Sequence, residues 1–193
     1  MDAATETLNE VGIQGATTRE IARRAGVNEV TLFRHFKSKE QLLGAVLQRG
    51  LAAEAAILDE YSSWKENLRE SLEKYARHHY SLWDKNKDFA DAFLAEGHLW
   101  PKSVQAMIAD VIRPVRERMV SILTDAQKAG VVRSDLNIEC ALDAFKNALY
   151  ARTLLQGAYL PRNYSNDDYI STVVEIFALG VEASDHRNFG TVR

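Results

Sequence analysis

The sequence has few of the residues that mark secreted or membrane proteins. It has three prolines, Pro101, Pro114 and Pro161, and one cysteine, Cys140, in 193 residues. With one cysteine no disulfide can form within the chain, so we expect a reducing, cytoplasmic location. The opening residues, MDAATE, lack a basic segment followed by an apolar one, and we expect no signal peptide. No apolar run reaches the roughly 18 residues of a membrane helix.

Motifs for metal binding and catalysis are also missing. His78, His79, His98 and Cys140 lack the short spacing of zinc ligands, and two adjacent histidines face apart on a helix. The sequence has no glycine-rich phosphate loop, no G-x-S-x-G and no H-E-x-x-H. We therefore predict no catalytic residue, no metal site and no cofactor.

Helical periodicity runs through the chain without convincing alternation of period two, which predicts an all-α fold of about nine helices. Beyond residue 38 the predicted helices span about 39–61, 63–85 (opened by a Ser63–Glu66 capping box), 88–98, 101–130, 137–157 and 165–184. Pro114 should kink the fourth of these or start a new helix. We predict a three-helix DNA-binding domain at 1–47, a helical ligand-binding and dimerisation bundle at 48–184, and a flexible tail at 185–193.

The most informative segment is TTREIARRAGVNEVTLFRHFKSKEQLL, residues 17–43. Thr17 followed by Glu20 forms a capping box, and Gly26 can end the helix in the left-handed conformation. Asn28 then caps a second short helix, and Ser38 with Gln41 caps a third. Two short helices joined by a tight turn, with a third following, are typical of a helix-turn-helix.

The second of these helices has two distinct faces. Leu32 and Phe36 fall on one side and should point inward. The opposite strip, here called the outer face, consists of Val30, Thr31, Phe33 and Arg34. Arginine can pair bidentately with guanine, and threonine or apolar groups can contact a thymine methyl. At the edges, where phosphates would run, are Arg19, His35, Lys37 and Lys39.

Charge is distributed unevenly along the chain. The formal net charge is −3, which alone argues against nucleic acid, but residues 15–50 hold seven Lys and Arg against three acids. Such a basic segment on an acidic chain suits phosphate binding, although basic helix faces are also common solvated surfaces. Together with the turn and caps, the charge favours binding to duplex DNA.

Residues 3–47 resemble the DNA-binding domain of the TetR (tetracycline-repressor-like) family of bacterial transcription regulators, most specifically in TTREIARRAGV and TLFRHFKSKEQL. The resemblance implies phosphate contacts by Thr17, Thr18, Arg19, Phe33, His35 and Lys39. It implies base contacts by Val30, Thr31 and Arg34; Asn28 and Lys37 complete the predicted DNA-binding set. Phe33 replaces a common tyrosine, Val30 replaces a usually small residue, and the first helix starts close to Met1.

The last two predicted helices are apolar over more than one stripe, which fits either the centre of a bundle or an interface with a second copy. A single helix-turn-helix contacts too few bases for tight specificity. A two-fold symmetric dimer solves this problem because it reads two half-sites. The TetR resemblance also implies a homodimer through these helices. We predict an interface containing Phe145, Leu149, Val173, Phe177 and Val181.

The middle of the chain offers candidates for an effector site. Tyr75 and His79 place polar atoms on an apolar stripe, a mixture expected of a small-molecule pocket, although plain core is an alternative. Trp83, Phe93, Met107, Met119 and Phe145 could supply walls. The resemblance implies a pocket for an unidentified small molecule, commonly an apolar or aromatic compound.

These observations predict a cytoplasmic, homodimeric transcription regulator, more often a repressor than an activator in such families, that binds a palindromic operator and responds to a small molecule. The alternatives are an α-helical protein-interaction module without operator binding, or a small helical enzyme. Salt-dependent binding to duplex DNA would distinguish a transcription regulator from both alternatives.

Overall fold

The computed structural model describes residues 1–60, 64, 66–86, 97–154 and 162–183. Within these ranges the chain forms α-helices and one short 3₁₀ turn. The helices are α1 (Asp2–Gly15), α2 (Thr18–Arg24), α3 (Glu29–His35), α4 (Lys39–Glu60), α5 (Leu68–Lys85), α6 (Lys102–Lys128), α7 (Ile138–Leu154) and α8 (Asn166–Val181), and the 3₁₀ turn is Gly97–Leu99. The all-α prediction is confirmed. Most of the predicted 88–98 helix, the 185–193 tail and Phe93 lie outside the described residues.

Two compact units are formed. The first comprises Met1–Ala55 and Ser81–Val115, and the second comprises Ala56–Tyr80 and Arg116–Arg193. The core of the first unit includes Ala4, Leu8, Ile13, Ile21, Ala22, Leu32, Leu42, Leu43, Leu47, Trp100, Val104 and Ile108. The two compact units therefore do not meet at residue 47, where the sequence analysis places the domain boundary. That boundary remains a prediction.

Local sequence signals account for most helix ends. Asn137 accepts a hydrogen bond from the backbone N–H of Cys140 at the start of α7, and Ser165 forms a complete capping box with Asp168 at α8. Ser63 of the predicted Ser63–Glu66 box lies outside the described residues, and α5 begins at Leu68, later than the predicted start near residue 63. Asn67 instead accepts from the Glu70 backbone N–H and donates to the Glu70 carboxylate, so the same kind of cap forms one turn later.

Helix α6 continues through Pro114 from Lys102 to Lys128, so the alternative of a new helix at that proline is wrong. Proline removes one helical hydrogen bond, but tertiary packing can outweigh that loss. Val115 and Met119, which follow the proline, are buried, and Ile108 before it is buried as well. Packing on both sides of Pro114 therefore holds the helix together.

The second unit contains a small element that the periodicity did not predict. Val132 and Glu182 form an isolated antiparallel bridge, supported by a hydrogen bond from Arg133 N–H to the carbonyl of Val181 and another from Ala183 N–H to that of Val131. The bridge ties the turn after α6 to the end of α8. It also ends α8 at Val181, before the predicted limit at Ser184.

Candidate functional site

The turn between α2 and α3 is fixed by its own backbone hydrogen bonds. Gly26 has φ of +67°, a conformation that side chains with a Cβ rarely adopt. Next to it, the Val27 N–H donates to the carbonyl of Ala22 at 3.0 Å, which closes the end of α2. Asn28 accepts from the Val30 N–H at 2.9 Å and opens α3. The two helices are therefore joined in a defined geometry, as the sequence predicts.

The two faces of α3 are separated as predicted. Leu32 is buried, and Phe36 packs partly buried against the core of the first unit. On the outer face Val30 is 76% exposed, Phe33 is 43% exposed and Arg34 is exposed, while Thr31 is half-buried. Ala25, at the end of α2, is also exposed. The outer face thus presents a guanidinium and apolar groups to whatever approaches it.

Basic side chains in and around the helix-turn-helix differ in whether a carboxylate neutralises them. The paired set contains Arg23 with Glu20, Arg24 with Glu20 and Glu10, and Arg49 with Asp2. Hydrogen bonds from the two neighbouring arginines lower the pKa of Glu20 to about 2. Arg19, Arg34 and Lys37 are exposed, and none pairs with a carboxylate among the residues that the structure describes. These three exposed cations belong to the set predicted to contact DNA.

The remaining predicted phosphate contacts differ in their surroundings. His35 is exposed at the end of α3, and the Lys37 backbone N–H donates to the Gln41 side chain. Lys39 is half-buried at the start of α4, where burial lowers its pKa against the opposing effect of Glu40. It lines a cleft of the first unit with Leu43, Trp100 and other residues of that unit.

Both threonines predicted to contact phosphates are already hydrogen-bonded within the first unit. Thr17 accepts from the Glu20 backbone N–H at 3.2 Å, although the Glu20 carboxylate turns to the two arginines instead of completing the capping box. The Thr18 hydroxyl donates to the Glu29 carboxylate at 2.6 Å. Sequence reasoning did not single out Glu29. Its place as the first residue of α3 was the available signal, since first-turn residues of such helices reach base edges.

Of the seven predicted effector contacts, the six that lie within the described residues are divided between the two units. Tyr75, His79, Met119 and Phe145 belong to the second unit, and all four are buried there. Trp83 and Met107 belong to the first unit. Met107 packs against Gly44, so closely that an added Cβ there would lie 2.8 Å from its sulfur.

An aromatic cluster forms the centre of the second unit. The rings of Tyr75 and His79 stack at 5.5 Å, with the tyrosine Oη 3.5 Å from the histidine Nδ1. The edge of Tyr150 meets His79 at 5.0 Å, and Phe145 lies 6.4 Å from Tyr75 between ring centroids. Lys146 places its Nζ 5.9 Å from the tyrosine ring centroids of this cluster. Polar atoms therefore lie among buried aromatic groups.

A second candidate is an apolar cleft in the first unit. Its lining consists of Val46, Leu47, Gly50 and Leu51 of α4 with Leu82, Trp83 and Asn86 from α5 and the residue after it. Trp83 is the predicted effector residue that lines this cleft. The effector residues therefore remain a prediction, with candidates in each of the two units.

The predicted dimer residues are mostly covered within the protomer. Phe145, Leu149 and Val181 are buried in the core of the second unit, so they present little surface to a second copy. Val173 and Phe177 are half-buried, and Phe177 stacks on Phe145 at 4.5 Å. The exposed apolar side chain of α8 is Ile176, at 66%, which the prediction omitted.

Two features are absent from the described ranges, a membrane-spanning helix and a metal-binding cluster. Over those residues, each helix is too short or too polar to cross a membrane. The same part of the chain contains no group of three or more His, Cys, Asp and Glu placed to hold a metal ion.

Two family models match the chain. The family described as bacterial regulatory proteins, tetR family, matches residues 1–46, and the tetracyclin repressor-like C-terminal domain matches residues 63–173. The class D tetracycline repressor of Escherichia coli is 38% identical over 79 residues, which are 40% of this chain and 36% of that repressor. The match thus spans about a third of that relative's length.

Longer but weaker similarities extend to regulators of fatty acid metabolism. The fatty acid metabolism regulator of Bacillus subtilis (strain 168) is 23% identical over 141 residues, 73% of each protein. A putative fatty acid metabolism regulator of Clostridium perfringens superposes with a TM-score of 0.75 at 23% identity, covering 93% of this chain and 96% of that one. FadR of Bacillus subtilis, solved in complex with stearoyl-CoA, superposes with a TM-score of 0.74 at 19% identity. The superposition covers 94% of this chain and 97% of that one.

The structural likenesses establish the fold, and the two family models together cover the helix-turn-helix segment and more than half of the chain beyond it. The protein belongs to the TetR family of bacterial regulatory proteins.

Proposed function

We propose that the protein is a transcriptional repressor that binds a palindromic operator as a homodimer and releases it when a small molecule binds. The observation that carries the proposal is the outer face of α3, where Arg34 and Val30 are exposed while Leu32 anchors the helix from the other side. Each α3 would enter a major groove, with half-sites about 34 Å apart or a multiple of that.

Electrostatics support DNA as the ligand. Arg19, Arg34 and Lys37 keep their charge available, whereas Asp2, Glu10 and Glu20 of the same unit pair with other arginines. Lysine and arginine that neutralise phosphates release condensed counterions, and this release drives binding. The overall formal charge of −3 is therefore compatible with a locally basic contact surface.

Dimerisation is supported by a surface on α7 and α8 of the second unit. Ile176 is 66% exposed on α8 beside half-buried Val173, and Ala144 and Cys140 on α7 are exposed and small. Small residues allow helices to approach closely, and an exposed large aliphatic residue gains from burial. A two-fold interface would double the number of bases read.

The effector would be an apolar or aromatic small molecule, and the aromatic cluster around Tyr75 and His79 is the site we favour. FadR of Bacillus subtilis was solved with stearoyl-CoA, so long-chain acyl thioesters are the first compounds to test. A differential affinity of about 1–3 kcal/mol between two states would change DNA affinity by about 5- to 150-fold. We further propose a cytoplasmic location, no catalytic activity and no cofactor besides this effector.

The test is selection of bound sequences from random duplexes, followed by titration of the selected duplex at several salt concentrations. We expect a two-fold symmetric sequence and a log affinity that falls by about 0.9 per phosphate neutralised for each unit of log salt. A protein-interaction module or an enzyme would enrich no sequence and show no such slope. Addition of acyl thioesters to the bound complex then tests release.

A further inference from the structure

Glu29 occupies an unusual position on the predicted DNA-binding surface. It is the first residue of α3, half-buried, and its Oε1 accepts a hydrogen bond from the hydroxyl of Thr18, the first residue of α2, at 2.6 Å. The bond joins the starting turns of the two helices that form the motif. It fixes one carboxylate oxygen and leaves the other, Oε2, to accept from a different donor.

Glu29 differs from Glu10 and Glu20 of the same unit, whose carboxylates are neutralised by arginines. Glu20 is held by Arg23 and Arg24, and Arg24 also reaches Glu10. Glu29 forms no ion pair within the described part of the chain, although unpaired cations lie on the same surface. An unpaired carboxylate weakens attraction to a polyanion, so an amide or hydroxyl would serve better if holding Thr18 were its only role.

From this geometry we infer that Glu29 is a specificity-determining residue that reads a cytosine in each half-site, with Oε2 accepting from the exocyclic N4 amine in the major groove. This inference rests on the proposed function. Carboxylates accept from cytosine N4, whereas adenine places the N7 acceptor beside its amine and so repels a carboxylate. The first residues of a recognition helix are those that approach base edges.

Thr18 has a positioning role in this arrangement. Its hydroxyl orients the Glu29 carboxylate before DNA binds, so less side-chain freedom is lost on contact. Glu29 is followed by Val30, and Arg34 lies more than one turn further along α3. The carboxylate and the guanidinium would therefore read different base pairs of one half-site.

The test uses Glu29→Gln in the full chain, with selection from random duplexes run in parallel on wild type and variant. The amide oxygen still accepts from Thr18, while its NH₂ and oxygen match adenine N7 and N6. We expect one symmetric position per half-site to change from cytosine to adenine, with about a 5- to 150-fold change in relative affinity for the two bases. Other positions should keep their preference.

Two further variants separate base reading from charge and folding. Glu6→Gln, at an exposed position of α1, makes the same change in net charge and should leave every base preference as in wild type. Thr18→Val removes the orienting donor, and we expect a weaker cytosine preference at the same position with no new base selected. Thermal melting of each variant shows whether it is folded. If Glu29→Gln fails to fold, the cytosine preference of Thr18→Val tests the inference instead.

The outcomes are distinguishable. If wild type selects a symmetric operator and Glu29→Gln selects the same bases at every position, Glu29 does not read a base and this inference is overturned while the proposed function stands. Uniform loss of affinity in Glu29→Gln and Thr18→Val, without a change in preference, overturns it too and leaves Glu29 a purely structural link. If wild type selects no duplex, the proposed function fails first.

Discussion

Arginine side chains are used differently in the two compact units. In the second unit Arg69 pairs with Glu175, Arg77 with Glu73 and Asp167, Arg116 with Glu139 and Asp143, and Arg133 with Asp135. In the first unit Arg19 and Arg34, beside and on the outer face of α3, have no such partner among the described residues. Paired arginines link helices, whereas unpaired ones offer charge to an external ligand.

The comparison extends to apolar groups. In the second unit the large aromatic residues Tyr75 and Phe145 are buried, while Ile176 on α8 remains exposed. In the first unit Val30 and Phe33 remain exposed on one short helix that also carries Arg34. An exposed aliphatic side chain gains from burial against a second protein copy, and apolar groups mixed with cations suit a nucleic-acid groove. The difference predicts which substitutions affect assembly and which affect DNA.

Ile176→Arg should have the largest effect, because it places a charge in the proposed dimer surface without disturbing the core. An uncompensated buried charge costs about 3–5 kcal/mol, which weakens the dimer more than about 100-fold. Sedimentation equilibrium should show a folded monomer that has lost operator affinity. Asn163→Arg, in the exposed loop before α8, should remain dimeric; an unchanged mass for Ile176→Arg would exclude this surface as the interface.

Leu32→Ala and Val30→Ala compare the two faces of α3. Loss of the buried leucine should cost about 2–5 kcal/mol of unfolding free energy, because it leaves a cavity under the recognition helix. Loss of the exposed valine should cost less than about 0.5 kcal/mol while altering base preference. Denaturant unfolding measures the first effect and duplex titration the second. Equal destabilisation by both would contradict the assigned faces.

Arg34→Ala and Arg116→Ala test the comparison of arginines directly. Arg34→Ala should reduce discrimination at one base pair per half-site by about 1–3 kcal/mol and leave stability unchanged. Arg116→Ala should lower stability by about 1 kcal/mol or less, since its pairs with Glu139 and Asp143 are solvent-exposed, and leave DNA affinity unchanged. Binding curves and melting temperatures that show the opposite pattern would refute the comparison.

The smallest effect concerns pH. Hydrogen bonds from Arg23 and Arg24 depress the pKa of Glu20 from 4.5 to about 2. A depressed carboxylate contributes stability that is complete above its ordinary pKa and is lost as pH falls through the folded-state value. The melting temperature should therefore fall between pH 4.5 and about 2, and this fall should be smaller in Glu20→Gln. An identical pH profile in the variant would show that the pairs are not formed.

The local features of the helix-turn-helix could be predicted from the sequence. Thr17, Gly26 and Asn28 act on backbone groups within a few residues, so their effect is readable without knowing the rest of the chain. The outward position of Arg34 follows from helical periodicity and the inward position of Leu32. Helix α5 begins later than the sequence predicts, at Leu68, where Asn67 accepts from the Glu70 backbone N–H and donates to the Glu70 carboxylate.

Partners across longer distances could not be predicted. Periodicity predicts that Tyr75, Trp83 and Phe145 face apolar surroundings, but not that Trp83 belongs to a different unit from the other two. The link between Thr18 and Glu29, eleven residues apart, likewise depends on the angle between two helices.

The sequence by itself determined the helix-turn-helix, its caps and the face that it presents, because these depend on interactions between residues near each other along the chain. Only the tertiary structure decided which arginines are neutralised, which aromatic residues cluster and which apolar side chains remain exposed. Those outcomes depend on which neighbours packing brings together from distant positions, and a one-dimensional pattern contains no such distances.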